Sequence, residues 1–109
     1  MNSKTKGNIG EDIAAEFLKN KNYTIVTRNF YCKGGEIDII AYKNGVFHFI
    51  EVKSGINFEP VYNITPQKIK RIIKCAYFYM KKHKISEAFC IDAIIIKNEK
   101  IDFLKNLTL

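Results

Sequence analysis

Asp38, followed by the Glu-x-Lys pair Glu51-Val52-Lys53, is the set of residues in this chain whose types and spacing could do chemistry. Between them run Ile39-Ile40-Ala41-Tyr42, Lys43-Asn44-Gly45 and Val46-Phe47-His48-Phe49-Ile50, two apolar stretches about an Asn-Gly pair. That pattern is the strongest short-range signal for a β-hairpin. With Asn44 and Gly45 as the central turn residues, Lys43 faces Val46, Ile40 faces Phe49 and Asp38 faces Glu51. Strand side chains alternate with a period of two, so Lys53 shares the face of Glu51. Directly opposed residues sit about 4.5–5.5 Å apart at Cβ, and like charges there are destabilising. A divalent cation would remove the repulsion. Mg²⁺ or Mn²⁺ suits hard carboxylate oxygens, with the Val52 carbonyl as a further candidate ligand, and would polarise a phosphate and acidify a bound water. Lys53 would orient or deprotonate that water, or stabilise charge on the phosphate. The chemistry of such a site would be phosphodiester hydrolysis. A salt-bridged cluster at a solvated sheet end is the alternative, and the residues alone leave both open.

The elements that must position these residues can be read on either side. Ile9, Ile13, Phe17 and Leu18 recur at helical spacing, so residues 8–20 read as an amphipathic helix with Asn8 as N-cap and Glu11 as the acid of a capping box. Tyr23 to Phe30, rich in β-branched and aromatic residues, reads as a strand, and Lys33-Gly34-Gly35 turns into the hairpin. Ile37, Ile39, Val46, Ile50 and Val52 should line one hairpin face, and Ile40, Tyr42, Phe47 and Phe49 the other. Strands apolar on both faces lie in a sheet covered on both sides. Glu36 would face Lys53 as a cross-strand partner. Residues 54–65 form a long connection near the carboxylates, of a length at which loops are often functional or disordered. Thr65-Pro66 marks a helix start with Thr as N-cap. The helix runs to about His83, with Ile69, Ile72, Ile73, Ala76 and Met80 buried and Gln67, Lys68 and Arg71 crowding its first turns. Two strands follow, 89–96 and 101–104, about the turn Lys97-Asn98-Glu99-Lys100. Asp92 interrupts the first, its side open to either face. The order α-β-β-β-α-β-β predicts an α/β fold with a central mixed β-sheet flanked by helices.

Composition bounds the rest. With 109 residues there is room for one domain, 1–109, and a single core. A net charge of +7 favours an anionic partner, nucleic acid first. No apolar run reaches the roughly 18 residues of a membrane span, so no membrane partner is expected. The N-terminal segment lacks the apolar run of a secretory signal. Three cysteines, Cys32, Cys75 and Cys90, lack a CxxC pair and read as reduced thiols of a cytoplasmic protein. His48 and His83 lack metal-ligand spacing, and His48, alternating with Val46 and Ile50, reads as a packed structural histidine. Lys70, Lys74 and Lys81 read as a solvated helix face, and Tyr77 and Tyr79 as packing residues.

The run Gly10-Glu11, Asn29, Gly35-Glu36-Ile37-Asp38-Ile39-Ile40, Phe49-Ile50-Glu51-Val52-Lys53, Lys68 and Ala76 resembles the YraN-like family of small bacterial proteins. That family is similar to the Holliday-junction resolvases of the PD-(D/E)xK nuclease superfamily, and the resemblance implies a restriction-endonuclease-like fold. It places Asp38, Glu51 and Lys53 on the superfamily's catalytic Asp, Glu and Lys, with Asp38 and Glu51 as metal ligands. Glu11 falls on a helix acid that helps bind metal, a role beside its reading as a capping residue. Lys68, perched with Gln67 and Arg71 at the start of the second helix, falls on its basic, nucleic-acid-binding end. Departures are Cys90-Ile91-Asp92 where the family has Arg-Phe-Asp, Ser54 where it often has Thr, and Gly55 in place of an Arg; they bear on substrate contacts. The implied function is a Mg²⁺- or Mn²⁺-dependent endonuclease acting on DNA, branched forms included, or on other nucleic acid, and a homodimer by analogy with the resolvases. The alternatives are a nucleic-acid-binding accessory protein without turnover and a module whose basic surface meets an acidic protein.

Overall fold

The computed structural model describes residues 3–55 and 64–108, with side chains from Ile9 onward. Its elements are α1 (Ser3–Asn20), β1 (Thr24–Cys32), β2 (Gly35–Lys43), β3 (Val46–Gly55), α2 (Pro66–Lys82), β4 (Ala88–Lys97) and β5 (Lys100–Leu104). The five strands form one sheet in the order β1-β2-β3-β4-β5. Neighbours are antiparallel except β3 and β4, which run parallel and are joined through α2. This is the expected α-β-β-β-α-β-β mixed sheet, consistent with the restriction-endonuclease-like fold. The middle of the connection expected over 54–65 lies outside the described residues, and its first two residues, Ser54 and Gly55, extend β3.

Each sheet face has its own helix. Ala14, Ala15 and Leu18 of α1 pack with Tyr23, Ile39, Ala41, Ile50, Ile94 and Ile96. Ile72, Cys75, Ala76, Tyr79 and Met80 of α2 pack with Ile37, Ile40, Phe49 and Ile91 on the opposite face. The start of α2 is as the sequence predicts: Thr65 is extended (φ −98, ψ 158), its side chain accepts the Lys68 N–H, and Pro66 occupies the first turn.

The α1 expectation needs two corrections. The helix begins at Ser3, so Asn8 is an interior residue and Glu11 has no capping box to complete. Its buried stripe is also made of smaller residues than the spacing suggests, since Ile9 and Ile13 are 48% and 42% exposed. Small side chains let the helix lie close on the sheet. A Cβ added at Gly10 would stand 3.2 Å from Ser54 Oγ.

The hairpin turn follows the count. Asn44 and Gly45 both have positive φ, 50° and 80°, the left-handed pair of a type I′ turn. Lys43 pairs with Val46 and Ile40 with Phe49. The ladder ends, however, at Ile39–Ile50, one pair short of Asp38 and Glu51. At that point the faces also change. Ile37 packs with α2 although Ile39 packs with α1, whereas a regular strand would put both on one side. The adjacent strand makes the same switch. Arg28, paired with Ile39, reaches the acids of α1, while Phe30, paired with Ile37, packs edge-on against Tyr79 of α2. Asn29 lies between them at φ 56, a left-handed residue that reverses the alternation.

A disulfide joins Cys32 at the end of β1 to Cys75 within α2, contrary to the expectation of three reduced thiols; Cys90 is free. The face switch is the physical reason the two meet, because it turns Cys32 with Phe30 toward α2.

Candidate active site

The break in the β2–β3 ladder is where Asp38 acts. Its Oδ2 accepts the Val52 backbone N–H at 2.8 Å, replacing the next ladder bond by a side-chain one. Asp38 is only 8% exposed. Burial, and then the charge of Glu51 beside it, push its carboxyl from 3.8 up to about 7; the Val52 N–H pulls the other way, and Glu11 and Glu36 add to the rise. The two predicted acids are therefore electrostatic neighbours, though through a side-chain wedge and not as a directly opposed pair. Lys53 lies with Glu51 as expected, its Nζ 3.2 Å from Glu51 Oε1.

Glu51 opens into a cleft of about 170 Å³ whose walls include Gly34, Glu36, Lys68 and Arg71. The turn after β1 forms one wall and the first half of α2 the other. They approach closely at Gly35, where an added Cβ would lie 3.7 Å from the Arg71 Cβ. The Thr65 cap holds the Lys68 N–H at 3.2 Å and so fixes the helix start beside the acids. Lys68 and Arg71 thus stand where the sequence places them. Gln67 is exposed and does not line the cleft.

Glu11 reaches the site from α1. Arg28 Nη2 lies 3.6 Å from its Oε1, and Arg28 Nη1 lies 2.7 Å from Asp12. Burial raises the Glu11 carboxyl, opposed by a hydrogen bond from Asn29 and by the Arg28 charge. Its Oε1 is buried without a hydrogen-bond partner among the described residues. Arg28 and Asn29 are the site residues that the residue patterns left unassigned. The available signal was a turn-type Asn inside a β-branched and aromatic run. Glu36 departs from its expected pairing with Lys53: it lies opposite Tyr31 of β1, whose hydroxyl hydrogen-bonds it.

Asp38 and Glu51 are hard oxygen donors of the kind Mg²⁺ takes, one or two carboxylates with the remaining positions left to water. Burial raises the Asp38 carboxyl first, and the negative charges of Glu51, Glu11 and Glu36 that add to the rise are what a cation would offset. Glu11, Asp38 and Glu51 do not form a compact three-ligand set. The residues fit a two-carboxylate site, with Glu11 at its margin.

Asp92 lies on the other face, fully buried, against His48 and Cys90. His48 is packed edge-on against Tyr23, the buried structural setting expected of it. Burial and the nearby Asp92 push the Cys90 thiol up to about 12.

Comparison with known proteins gives a consistent relationship. The profile of the uncharacterised protein family UPF0102 matches residues 10–96. A UPF0102 protein of Wolinella succinogenes is 55% identical over 107 residues, 98% of this chain and 99% of its own length. One of Helicobacter hepaticus is 54% identical over 109 residues, 100% of this chain and 99% of its own. One of Sulfurovum sp. is 48% identical over 105 residues, 94% and 93% of the two chains.

Proposed function

The chain belongs to the uncharacterised family UPF0102, a membership that assigns no activity, and from the Asp38–Glu51 site we propose that it is a metal-dependent nuclease hydrolysing phosphodiester bonds in DNA. The observation that carries this reading is the grouping of a buried Asp38, its carboxyl raised to about 7, with Glu51 and Lys53, where Glu51 lines a cleft shared with Lys68 and Arg71.

Asp38 and Glu51 would hold Mg²⁺ or Mn²⁺, which when bound supplies Lewis-acid polarisation of the phosphate. The protein's own residues do the rest. Val52 N–H fixes the Asp38 carboxylate, so its geometry does not depend on solvent. Lys53, 29% exposed, is the group able to carry a proton or neutralise charge at the attacking position. Lys68 and Arg71 present cations to the phosphate backbone, and Arg71 can do so with two parallel donors. The net charge of +7 draws a polyanion toward the same surface. Assembly as a homodimer, with two clefts on one branched substrate, belongs to the same proposal.

The test is incubation of the full chain with flap, four-way-branched and single-stranded DNA in Mg²⁺ or Mn²⁺. Cleavage is expected, lost in Asp38→Asn and Glu51→Gln, and slowed about a hundredfold or more in Lys53→Met. Failure to cut any substrate, or an Asp38→Asn protein that cuts as fast, overturns the reading. Salt-steep DNA binding without cleavage would assign the cleft to a non-catalytic accessory role.

A further inference from the structure

The parallel register of β3 and β4 sets His48 beside Cys90 and Ile50 beside Asp92, so His48, Cys90 and Asp92 project to the α1 side of the sheet. Their donor atoms lie within 4.8 Å of one another. His48 Nδ1 is 2.6 Å from Asp92 Oδ2 and 3.0 Å from Cys90 Sγ. Cys90 Sγ is 3.5 Å and 3.7 Å from the two Asp92 oxygens.

Hydrogen bonding links this group through Asp92, which meets His48 Nδ1, the Cys90 thiol and the Asn106 N–H, but leaves the His48–Cys90 contact unexplained. An imidazole nitrogen has either one proton or one lone pair, so Nδ1 can bond fully to Asp92 or to Cys90 but not to both. The thiol is a weak donor, 3.5 Å from the nearer carboxylate oxygen. A cation at the centre would satisfy all three at once. We infer that His48, Cys90 and Asp92 form a second metal site, separate from the Asp38–Glu51 site, that takes Zn²⁺.

The donor set and spacing select that ion. One sulfur, one imidazole nitrogen and one carboxylate oxygen make a set of borderline softness that suits Zn²⁺ and not Mg²⁺. Tetrahedral Zn²⁺ with ordinary bond lengths separates nitrogen from oxygen by ~3.3 Å and sulfur from either by ~3.5 Å. The sulfur–oxygen spacing already matches, and the other two need to open by about 0.5–0.7 Å, within the reach of small side-chain rotations. Three protein ligands leave a fourth position for water, and Cys90 is partly exposed, which gives a route in. The carboxylate is also braced as metal-binding carboxylates are: Asp92 Oδ1 accepts the Asn106 N–H at 2.7 Å, leaving Oδ2 for the centre. Loading would release the Cys90 proton to solvent, leaving a thiolate on the metal.

This site depends on none of the nuclease residues, so its test stands apart from theirs. Metal-free full-length protein is titrated with Co²⁺ alone, read by absorbance, and the complex is then challenged with Zn²⁺. One equivalent of Co²⁺ should produce a sulfur-to-metal charge-transfer band with tetrahedral visible bands, bleached by one equivalent of Zn²⁺. The band should be absent in Cys90→Ser, at least tenfold weaker in apparent affinity in His48→Gln, and intact in Asp38→Asn. Zn²⁺ should raise the melting temperature of the wild type, and Mg²⁺ should not do so through this site in Cys90→Ser. Should a variant fail to fold, the wild-type spectrum and its one-to-one stoichiometry decide the matter. No charge-transfer band in the wild type, a band unchanged by Cys90→Ser, or a thermal shift without any sulfur band overturns the inference.

Discussion

Asp38 and Asp92 are the two buried acids among the described residues, and their surroundings differ in kind. Asp92 has an imidazole and a backbone N–H against it. Asp38 has one backbone N–H and faces three further acids, Glu51 first. Its folded value, raised from 3.8 to about 7, gives a definite sign. Between those values the folded protein keeps a proton that the unfolded chain has released, so stability falls as pH rises from about 4 to about 7 and is level above. Asn accepts the same Val52 N–H but never ionises. Asp38→Asn should therefore match the wild type near pH 4 and exceed it at pH 8, by at most about 4 kcal/mol. Urea midpoints at the two pH values measure this, and saturating Mg²⁺ should narrow the gap at pH 8. A difference between the proteins that does not change with pH would show that Asp38 ionises freely in the fold.

At the scale of elements, the cleft depends on where α2 starts. Thr65 caps it in the last turn of chain before Lys68 and Arg71, both on the cleft wall. Thr65→Ala should cost about 1 kcal/mol of stability and fray the turn that carries Lys68. Thermal denaturation and amide exchange at residues 66–69 would register it; unchanged exchange there would mean that packing of Ile72 and Cys75 fixes the helix start without the cap. This element was legible in the sequence, because Thr-Pro before an apolar stripe encodes a helix start locally. The hairpin was legible for the same reason, since Asn44-Gly45 sets the register of everything counted outward from it. What could not be counted was set by a third strand. The ladder break at Asp38 and the change of face at Ile37 lie beside Asn29, the left-handed residue of β1, and no feature within the hairpin announces them. The His48–Cys90–Asp92 group was hidden similarly. It depends on the register of a parallel pair joined through a whole helix, where there is no short turn to count from. Glu11 reads as a capping acid because Asn8 resembles a helix start, whereas the helix begins at Ser3.

Across the whole molecule, the Cys32–Cys75 disulfide links the end of β1 to the middle of α2 and so spans the two walls of the Glu51 cleft. Cys32 pairs with Gly35 across the turn that forms one wall, and Cys75 lies one helical turn beyond Arg71 on the other. The crosslinked residues are 43 apart in sequence. Closing a loop of that size in the unfolded chain is worth about 4 kcal/mol in the chain-entropy account. Cys75 is buried in the apolar cluster under α2 and Cys32 packs against that cluster, so two thiols in the same place would still pack. The fold should accordingly survive reduction with a lower melting temperature, and the cleft walls should loosen relative to each other. Thiol titration of protein unfolded without reductant should find one reactive cysteine per chain, Cys90, and three after reduction. Cys75→Ala should reproduce the thermal loss seen on reduction, and reductant should then lower its melting temperature no further. Three thiols in the unreduced protein, or a melting temperature indifferent to reductant, would mean that apolar packing alone holds the two walls of the cleft together.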